Sequence, residues 1–353
     1  MNKRSKSGES FEKIISEPAV VLEQMVEEAG KIERAIAKER PVRFVKRYWH
    51  MLGPGLTTGA ADDDPSGIAT YSQAGAQYGF QLSWLSWASF PFMAIIQEMC
   101  ARIGLVTGQG LAANIRHHYS RHILYAIALL LFVVNTFNIG ADLGAMAKGV
   151  QLLMPGAPYV FLVIGFATLS LLLQIFTTYA GYARYLKYVS MVLLAYIFSF
   201  LAGHLDLHDT TFSFRYLIPS LSFTRAQIYL ICGILGTTIS PYLFFWQTSQ
   251  EVEEQGLRGK TNPTKWHQRP TREEMRAVRT DVWSGMFFSN LIMFFIIAAC
   301  AETLFTHGIT QINTAADAAL ALRPLAGDAA YFLFAVGIIG TGLLAIPILA
   351  ASA

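Results

Sequence analysis

The chain reads as an all-α protein that crosses a membrane many times, and three observations carry that reading. Hydrophobic residues make up 53% of the sequence and charged residues only 14%, with a mean hydropathy of +0.39; soluble domains hold roughly 25% charged residues. Apolar stretches long enough to cross the hydrocarbon core, about 20 residues each, recur eight times, near 51–78, 82–105, 122–149, 158–178, 186–203, 227–249, 281–305 and 330–353. Two of these spans, the first and the sixth, are interrupted by a proline set among small and polar residues.

Ahead of the first span, residues 1–48 form a polar tail without the apolar core of a signal peptide, so the tail is expected to remain in the cytoplasm. Residues 49–353 then form one transmembrane domain. Lys and Arg distribute as the positive-inside rule requires: eleven lie in the tail and seven between Arg258 and Arg279, while the opposite side carries only Arg215, Arg225 and Arg323. The net charge of +3 therefore reflects topology and excludes nothing but a nucleic-acid partner, which needs a long basic face. The implied partners are the lipid bilayer and a small cargo; the implied location is the cell membrane, multi-pass, with a cytoplasmic N-terminus. The last span runs to the final residue as "LLAIPILAASA", and the natural chain is expected to continue past it.

The first span contains "GAADDDPSGIATYSQAGAQYG". A charge near the bilayer centre costs about 2.5–3.5 kcal/mol on insertion scales, so Asp62, Asp63 and Asp64 must face protein, water or a cation. Pro65 and Gly67 follow and should break the helix there. Irregular backbone at that depth is tolerated only where it lines a cavity or binds something. The sixth span repeats the pattern, with Gly236, Thr237, Thr238 and Ser240 before Pro241. Paired broken helices in two halves point to a midplane site in a secondary transporter. Carboxylates, hydroxyls and freed carbonyls are hard oxygen donors, suited to Mg²⁺, Mn²⁺ or Ca²⁺. A helical turn of about 100° per residue keeps the three acids from converging unless the helix unwinds. The spacing does not say which acid would then face the ion.

Other polar residues have plainer readings. Cys100, Cys232 and Cys300 lie in apolar spans as small core residues, and the His117, His118, His122 cluster lacks the further ligand a zinc site needs. Asn135 and Asn138 share a helix face with Asp142; the asparagines are expected to hydrogen-bond between helices and Asp142 to touch the ion route. Glu98 and Arg102 stand four apart as a local ion pair. Glu251, Glu253 and Glu254 line either a solvated vestibule or a gate, and Asn290 has no evident role.

The first span, with "QEMCARIGLVTGQGLAANI" and "GADLGAMAKGVQLL" after it, resembles the Nramp divalent-metal transporters, whose first helix carries Asp-Pro-Gly-Asn followed by a similar "AT…QAGA…G" run. The resemblance implies a LeuT-like fold of inverted repeats with discontinuous first and sixth helices, here C-terminally incomplete, and makes Asp64 the metal-binding aspartate and direct ligand. With it, Asp63 is expected as an outer contact held through water and Asp62 at the mouth of the pathway. It also implies departures. Gly67 stands where the family has Asn, Ser240-Pro241-Tyr242 where it has Met-Pro-His, Gln247 at a second His position, and Ala145 in place of an acid paired with Asp142. Without a thioether the site loses its preference for soft transition metals; without His, a group titrating near neutral pH. The pattern is similar to the Nramp-related branch that includes magnesium transporters.

The expectation is therefore transport of Mg²⁺ and/or Mn²⁺, weakly or not coupled to protons, with Asp64, Asp63, Gly67, Thr237 and Ser240 at the metal and Asp62, Asp142, Tyr242 and Gln247 along the route. The divalent ion is substrate, with no further cofactor, and no enzymatic constellation is visible. A Na⁺-coupled carrier of a small organic solute on the same fold and a non-transporting membrane metal sensor are the alternatives. Three acids at the break disfavour an anionic solute.

Overall fold

A computed structural model describes residues 48, 52–176, 185, 190–204, 219, 224–257 and 270–352. The expected tail, apart from Tyr48, and the middle of the basic loop lie outside the described residues. All regular structure among the described residues is helical. The helices are α1 (Pro54–Asp62), α2 (Pro65–Tyr78), α3 (Trp84–Thr107), α4 (Leu111–His118), α5 (Arg121–Leu153), α6 (Tyr159–Phe176), α7 (Leu194–His204), α8 (Arg225–Thr238), α9 (Pro241–Leu257), α10 (Arg272–Cys300) and α11 (Ala315–Ser352). Short helical turns at Gly79–Leu82 and Ser190–Leu193 precede α3 and α7, and a wider π turn, Ala301–Phe305, ends α10. α11 is helical on both sides of Gly327, whose φ of 83° and ψ of 172° interrupt it.

Both expected breaks are present. The first span divides into α1 and α2 around Asp63 and Asp64, and the sixth into α8 and α9 around Ile239 and Ser240. The backbone takes nearly the same path at each: Asp63 closes α1 at φ −86°, ψ 52° and Ile239 closes α8 at φ −103°, ψ 65°. Two residues later a proline restarts the helix, at a position where its missing N–H and fixed φ cost nothing. Asp64 and Ser240 are thus corresponding residues in the two halves.

Six helical stretches among the described residues are long and apolar enough to cross a membrane: Trp84–Thr107, Arg121–Leu153, Tyr159–Phe176, Arg225–Leu257, Arg272–Phe305 and Gly327–Ser352. The first span is not among them because three acids stand at its centre among small and polar residues, and the fifth is described only from residue 190. The chain is a multi-span membrane protein. Its periphery is apolar in the way lipid requires, with Phe137, Phe161 and Phe176 on α5 and α6 each about three-quarters exposed (77%, 74% and 78%).

The two broken helices lie at the centre, with α3, α10 and α11 packed around them. α1 meets α10 backbone to backbone. A Cβ on Gly55 would come within 2.6 Å of Val282 N, one on Gly59 within 2.2 Å of the Gly285 carbonyl oxygen, and one on Gly285 within 2.0 Å of the Gly55 oxygen. Three glycines therefore make this close approach possible, the small-residue packing that membrane helices use in place of a hydrophobic drive. Asn135 behaves as expected and donates from α5 to Leu349 O and Ser352 Oγ of α11, both at 3.0 Å.

Candidate cation site

The site is built where four half-helices end. The last carbonyls of α1 and α8 and the first N–H groups of α2 and α9 lack helical partners, and the side chains nearby answer for some of them. Asp64, 3% exposed, caps α2: its Oδ1 accepts from Gly67 N and from Ser66 Oγ, both at 2.7 Å. These bonds fix the carboxylate against the positive end of α2. Gly67 contributes an N–H that holds Asp64. Of its own groups only the backbone carbonyl could face a cation.

Two tyrosines bridge the breaks in opposite senses. Tyr242, the second residue of α9, donates its hydroxyl to Ala61 O in the last turn of α1 at 2.9 Å. Tyr71 of α2 shares a hydrogen bond of 3.2 Å with Thr238 Oγ1 at the end of α8. Tyr242 also lies within electrostatic reach of Asp64, Asp62 and Asp142. Asp142 arrives from α5, is fully buried, and acts electrostatically on Asp64, with the Ser66 backbone N–H at its carboxylate. Asp64 of the first break, Asp142 of α5 and Tyr242 of α9 thus act on one another electrostatically.

The remaining predicted residues are distributed less simply. Ser240 is buried, and its hydroxyl turns back to Thr237 O at 2.7 Å and Gly236 O at 3.2 Å. Thr237 turns its own hydroxyl to Ile234 O and Gly233 O. Each hydroxyl is spent as a donor on α8 carbonyls and keeps oxygen lone pairs for a cation. Gln247 lies further along α9, where its Oε1 accepts from Thr58 Oγ1 at 2.6 Å and its Nε2 donates to Glu251 Oε1 at 2.8 Å. It ties α9 to α1 beside the route rather than at the break. Asp62 is not at a mouth: it is 1% exposed and its Oδ2 accepts from Ser289 Oγ of α10 at 2.8 Å. As the last residue of α1 it points into the bundle, because the chain turns at Asp63 before it could reach an opening. Asp63 is likewise buried, and it faces Ser289 and Tyr196 as well as Asp62 and Asp64.

Among the described residues no three His, Cys, Asp or Glu side chains converge closely enough to cage an ion alone. Hydroxyls, carbonyls and water would have to complete any coordination shell. His117, His118 and His122 are exposed, in keeping with their plain reading.

Sequence reasoning missed three supports. Asp281 of α10 accepts from Gly53 N and Gly55 N at 2.7 Å and from Leu56 N at 3.1 Å, capping α1 from another helix. Glu98 pairs with Arg102 as expected, but also accepts from Arg279 Nε at 3.0 Å and Trp283 Nε1 at 2.6 Å, so the local pair joins α3 to α10. Asn290 accepts from Ser89 Oγ at 2.8 Å across the same two helices. Acids and indoles within an apolar span were the available signal, but their partners are too distant in sequence to name.

The fold and site define a polytopic membrane protein organised around paired broken helices and a buried, acid-rich centre. Residues 55–353 match the family described as natural resistance-associated macrophage protein-like, Nramp. The divalent metal cation transporter MntH of Deinococcus radiodurans is 31% identical over 320 residues, covering 89% of this chain and 69% of that protein. The transporter of the same name from Klebsiella pneumoniae is 30% identical over 319 residues, covering 87% and 71%. Among solved structures, the Eremococcus coleocola manganese transporter, in complex with an aromatic bis-isothiourea substituted compound, superposes with a TM-score of 0.64 at 18% identity, covering 88% of this chain and 66% of that one. The chain belongs to the Nramp family and has its LeuT-like fold. It spans about two thirds of the length of these proteins. The relatives are named as transporters, not enzymes, and for them the metal is cargo.

Proposed function

We propose that the protein moves a divalent cation, Mg²⁺ and/or Mn²⁺, across the cell membrane through the gap between the two helix breaks, with its N-terminus in the cytoplasm. The observation that carries this reading is the buried carboxylate of Asp64 held at the first helix break, with Asp142 and Tyr242 in its electrostatic reach and, among the described residues, no basic side chain among their partners. Family membership supports it, since the relatives are named for divalent metal or manganese. Asp64 is the direct ligand, Asp142 a neighbouring charge on the route, and Ser240 and Thr237 offer hydroxyl oxygens. A hard, all-oxygen set suits Mg²⁺ and Mn²⁺ and gives Cd²⁺ no soft partner. Tyr242 engages the Ala61 carbonyl, so one backbone oxygen freed by the break is already occupied and the cation retains more of its water.

Among the described residues no imidazole stands at the gap, and uptake is driven chiefly by membrane voltage, about 2.3 kcal/mol per charge per 100 mV. Uptake of Mg²⁺, Mn²⁺, Ca²⁺ and Cd²⁺ into proteoliposomes under imposed voltage and pH gradients tests this. Voltage-dependent Mg²⁺ and Mn²⁺ uptake without matching lumen acidification is expected. Stoichiometric acidification would overturn the uncoupled reading, and organic-solute uptake without divalent flux would favour the Na⁺-coupled carrier.

A further inference from the structure

We infer that Arg102 of α3 and Arg279 of α10 form a seat for the phosphate of an anionic phospholipid, with an acyl chain of that lipid lying along the aromatic seam between the same two helices. Both guanidiniums converge on one acid. Glu98 is buried, pairs with Arg102 and accepts from Arg279 Nε at 3.0 Å, while its other oxygen takes Trp283 Nε1 at 2.6 Å. One carboxylate therefore answers two fixed positive charges, and both of its oxygens are engaged.

The surplus charge is not buried with the acid. Side-chain exposure is 39% for Arg102 and 29% for Arg279 against 7% for Glu98, so the guanidiniums reach past the carboxylate to the surface. A guanidinium carries five N–H donors. Among the described residues those of Arg102 meet Glu98 alone, and its Nε is buried with no hydrogen-bond partner. Donors without acceptors are costly at the edge of the hydrocarbon, where water is not at hand on every side. A phosphate diester supplies the missing acceptors and one negative charge, in the geometry that arginine binds through two N–H groups.

The surroundings suit a lipid rather than a soluble anion. Arg102 shares a stripe of α3 with Ile95 and Met99, spaced i, i+4, i+7, and both apolar members are exposed. Arg279, Trp283 and Phe287 follow at four-residue steps on α10, with Phe287 again exposed. Rings join the two stripes: Phe90 meets Trp283 at 5.6 Å and Phe287 at 5.7 Å, and Trp87 meets Phe287 at 6.4 Å. From Arg102 and Arg279 into the span, the surface thus passes from paired cations to an indole and then to exposed apolar side chains. A phospholipid leaflet runs in the same order, from phosphate through the interface to acyl chain, and basic pockets between spanning helices are where anionic headgroups bind. The orientation proposed for the chain makes this the inner leaflet, but binding does not depend on it.

Native mass spectrometry of the full chain in detergent, titrated with phosphatidylglycerol or phosphatidylcholine, tests the inference without any transport step, so it stands or falls apart from the cation reading. The wild type should hold one tightly bound phosphatidylglycerol, about tenfold or more tighter than phosphatidylcholine. Arg102→Gln leaves Glu98 with Arg279 and Trp283 and should erase that preference, with size-exclusion profiles reporting the fold. Arg102→Lys keeps the ion pair but replaces the planar fork by a point charge; it should weaken phosphatidylglycerol severalfold, and it decides the matter if Arg102→Gln does not fold. Arg225→Gln removes one exposed cation from the opposite side and should keep the preference. Equal binding of the two lipids by the wild type overturns the inference, as does an unchanged preference in the Arg102 variants or an equal loss in Arg225→Gln. Displacement of the bound lipid by inorganic phosphate at equal concentration would assign the arginines to a soluble anion and overturn it as well.

Discussion

Replacing Asp281 should release the first half of the broken helix while leaving the acids at the break chemically intact. Pro54 has no N–H, so Gly53, Gly55 and Leu56 supply the donors at the start of α1, and all three end on the Asp281 carboxylate. The group is 3% exposed and its negative charge also meets the positive end of α1. A hydrogen bond to a charged acceptor contributes about 1.5–3 kcal/mol. Three bonds to one carboxylate are not additive, and loss of a buried charged partner costs about 3–5 kcal/mol. Asp281→Ala should destabilise the docked position of α1 by that amount. Asp281→Asn keeps one acceptor oxygen but turns an amide N–H₂ toward a backbone N–H, so roughly half the loss is expected. At 1.4 kcal/mol per decade, the asparagine variant should open α1 roughly 10- to 100-fold more often. Hydrogen exchange of the 53–62 amides reads this directly, because local opening sets their protection. Unchanged protection in Asp281→Ala would refute the capping role and leave the Gly55–Gly285 contact as the whole anchor.

Gly285→Ala should lower thermal stability by about 1–3 kcal/mol, the cost of overpacking, because its Cβ would lie 2.0 Å from Gly55 O; an unshifted melting temperature would show that α1 and α10 separate freely. Ser240→Met with Gly67→Asn should move preference toward Mn²⁺ and Cd²⁺ in competition uptake. A Cβ at Gly67 meets only ordinary contacts of 3.4 Å or more, so failure of the shift cannot be blamed on the first atom added there. Tyr242→Phe frees the Ala61 carbonyl and should raise the Mn²⁺-to-Mg²⁺ uptake ratio; an unchanged ratio would mean that this oxygen never faces the ion.

Much of this architecture was legible because proline and charge are unambiguous inside an apolar span. Asp62–Pro65 and Ser240–Pro241 located both breaks, and the apolar runs located α3, α5 and α6 to within a few residues. What could not be read was how separate spans meet. Asp281 lies 225–228 residues from the amides it caps, and Tyr242 lies 181 residues from Ala61, distances over which no periodicity speaks. Asp62 was misplaced at a mouth for a related reason. Helical rotation indicates that adjacent acids diverge, but only the turn at Asp63 shows that divergence carries Asp62 toward Ser289 rather than outward. Gly67 marked the break correctly, yet its use as an N–H donor to Asp64 depended on the cap geometry.

The most direct test of the central claim is voltage-driven Mn²⁺ uptake into proteoliposomes by wild type and Asp64→Asn, which is nearly isosteric and can still accept the Gly67 N–H. The wild type should take up Mn²⁺ and the variant should fall to the level of empty vesicles with its size-exclusion profile intact. Wild-type uptake by Asp64→Asn, at unchanged apparent affinity, would contradict the account.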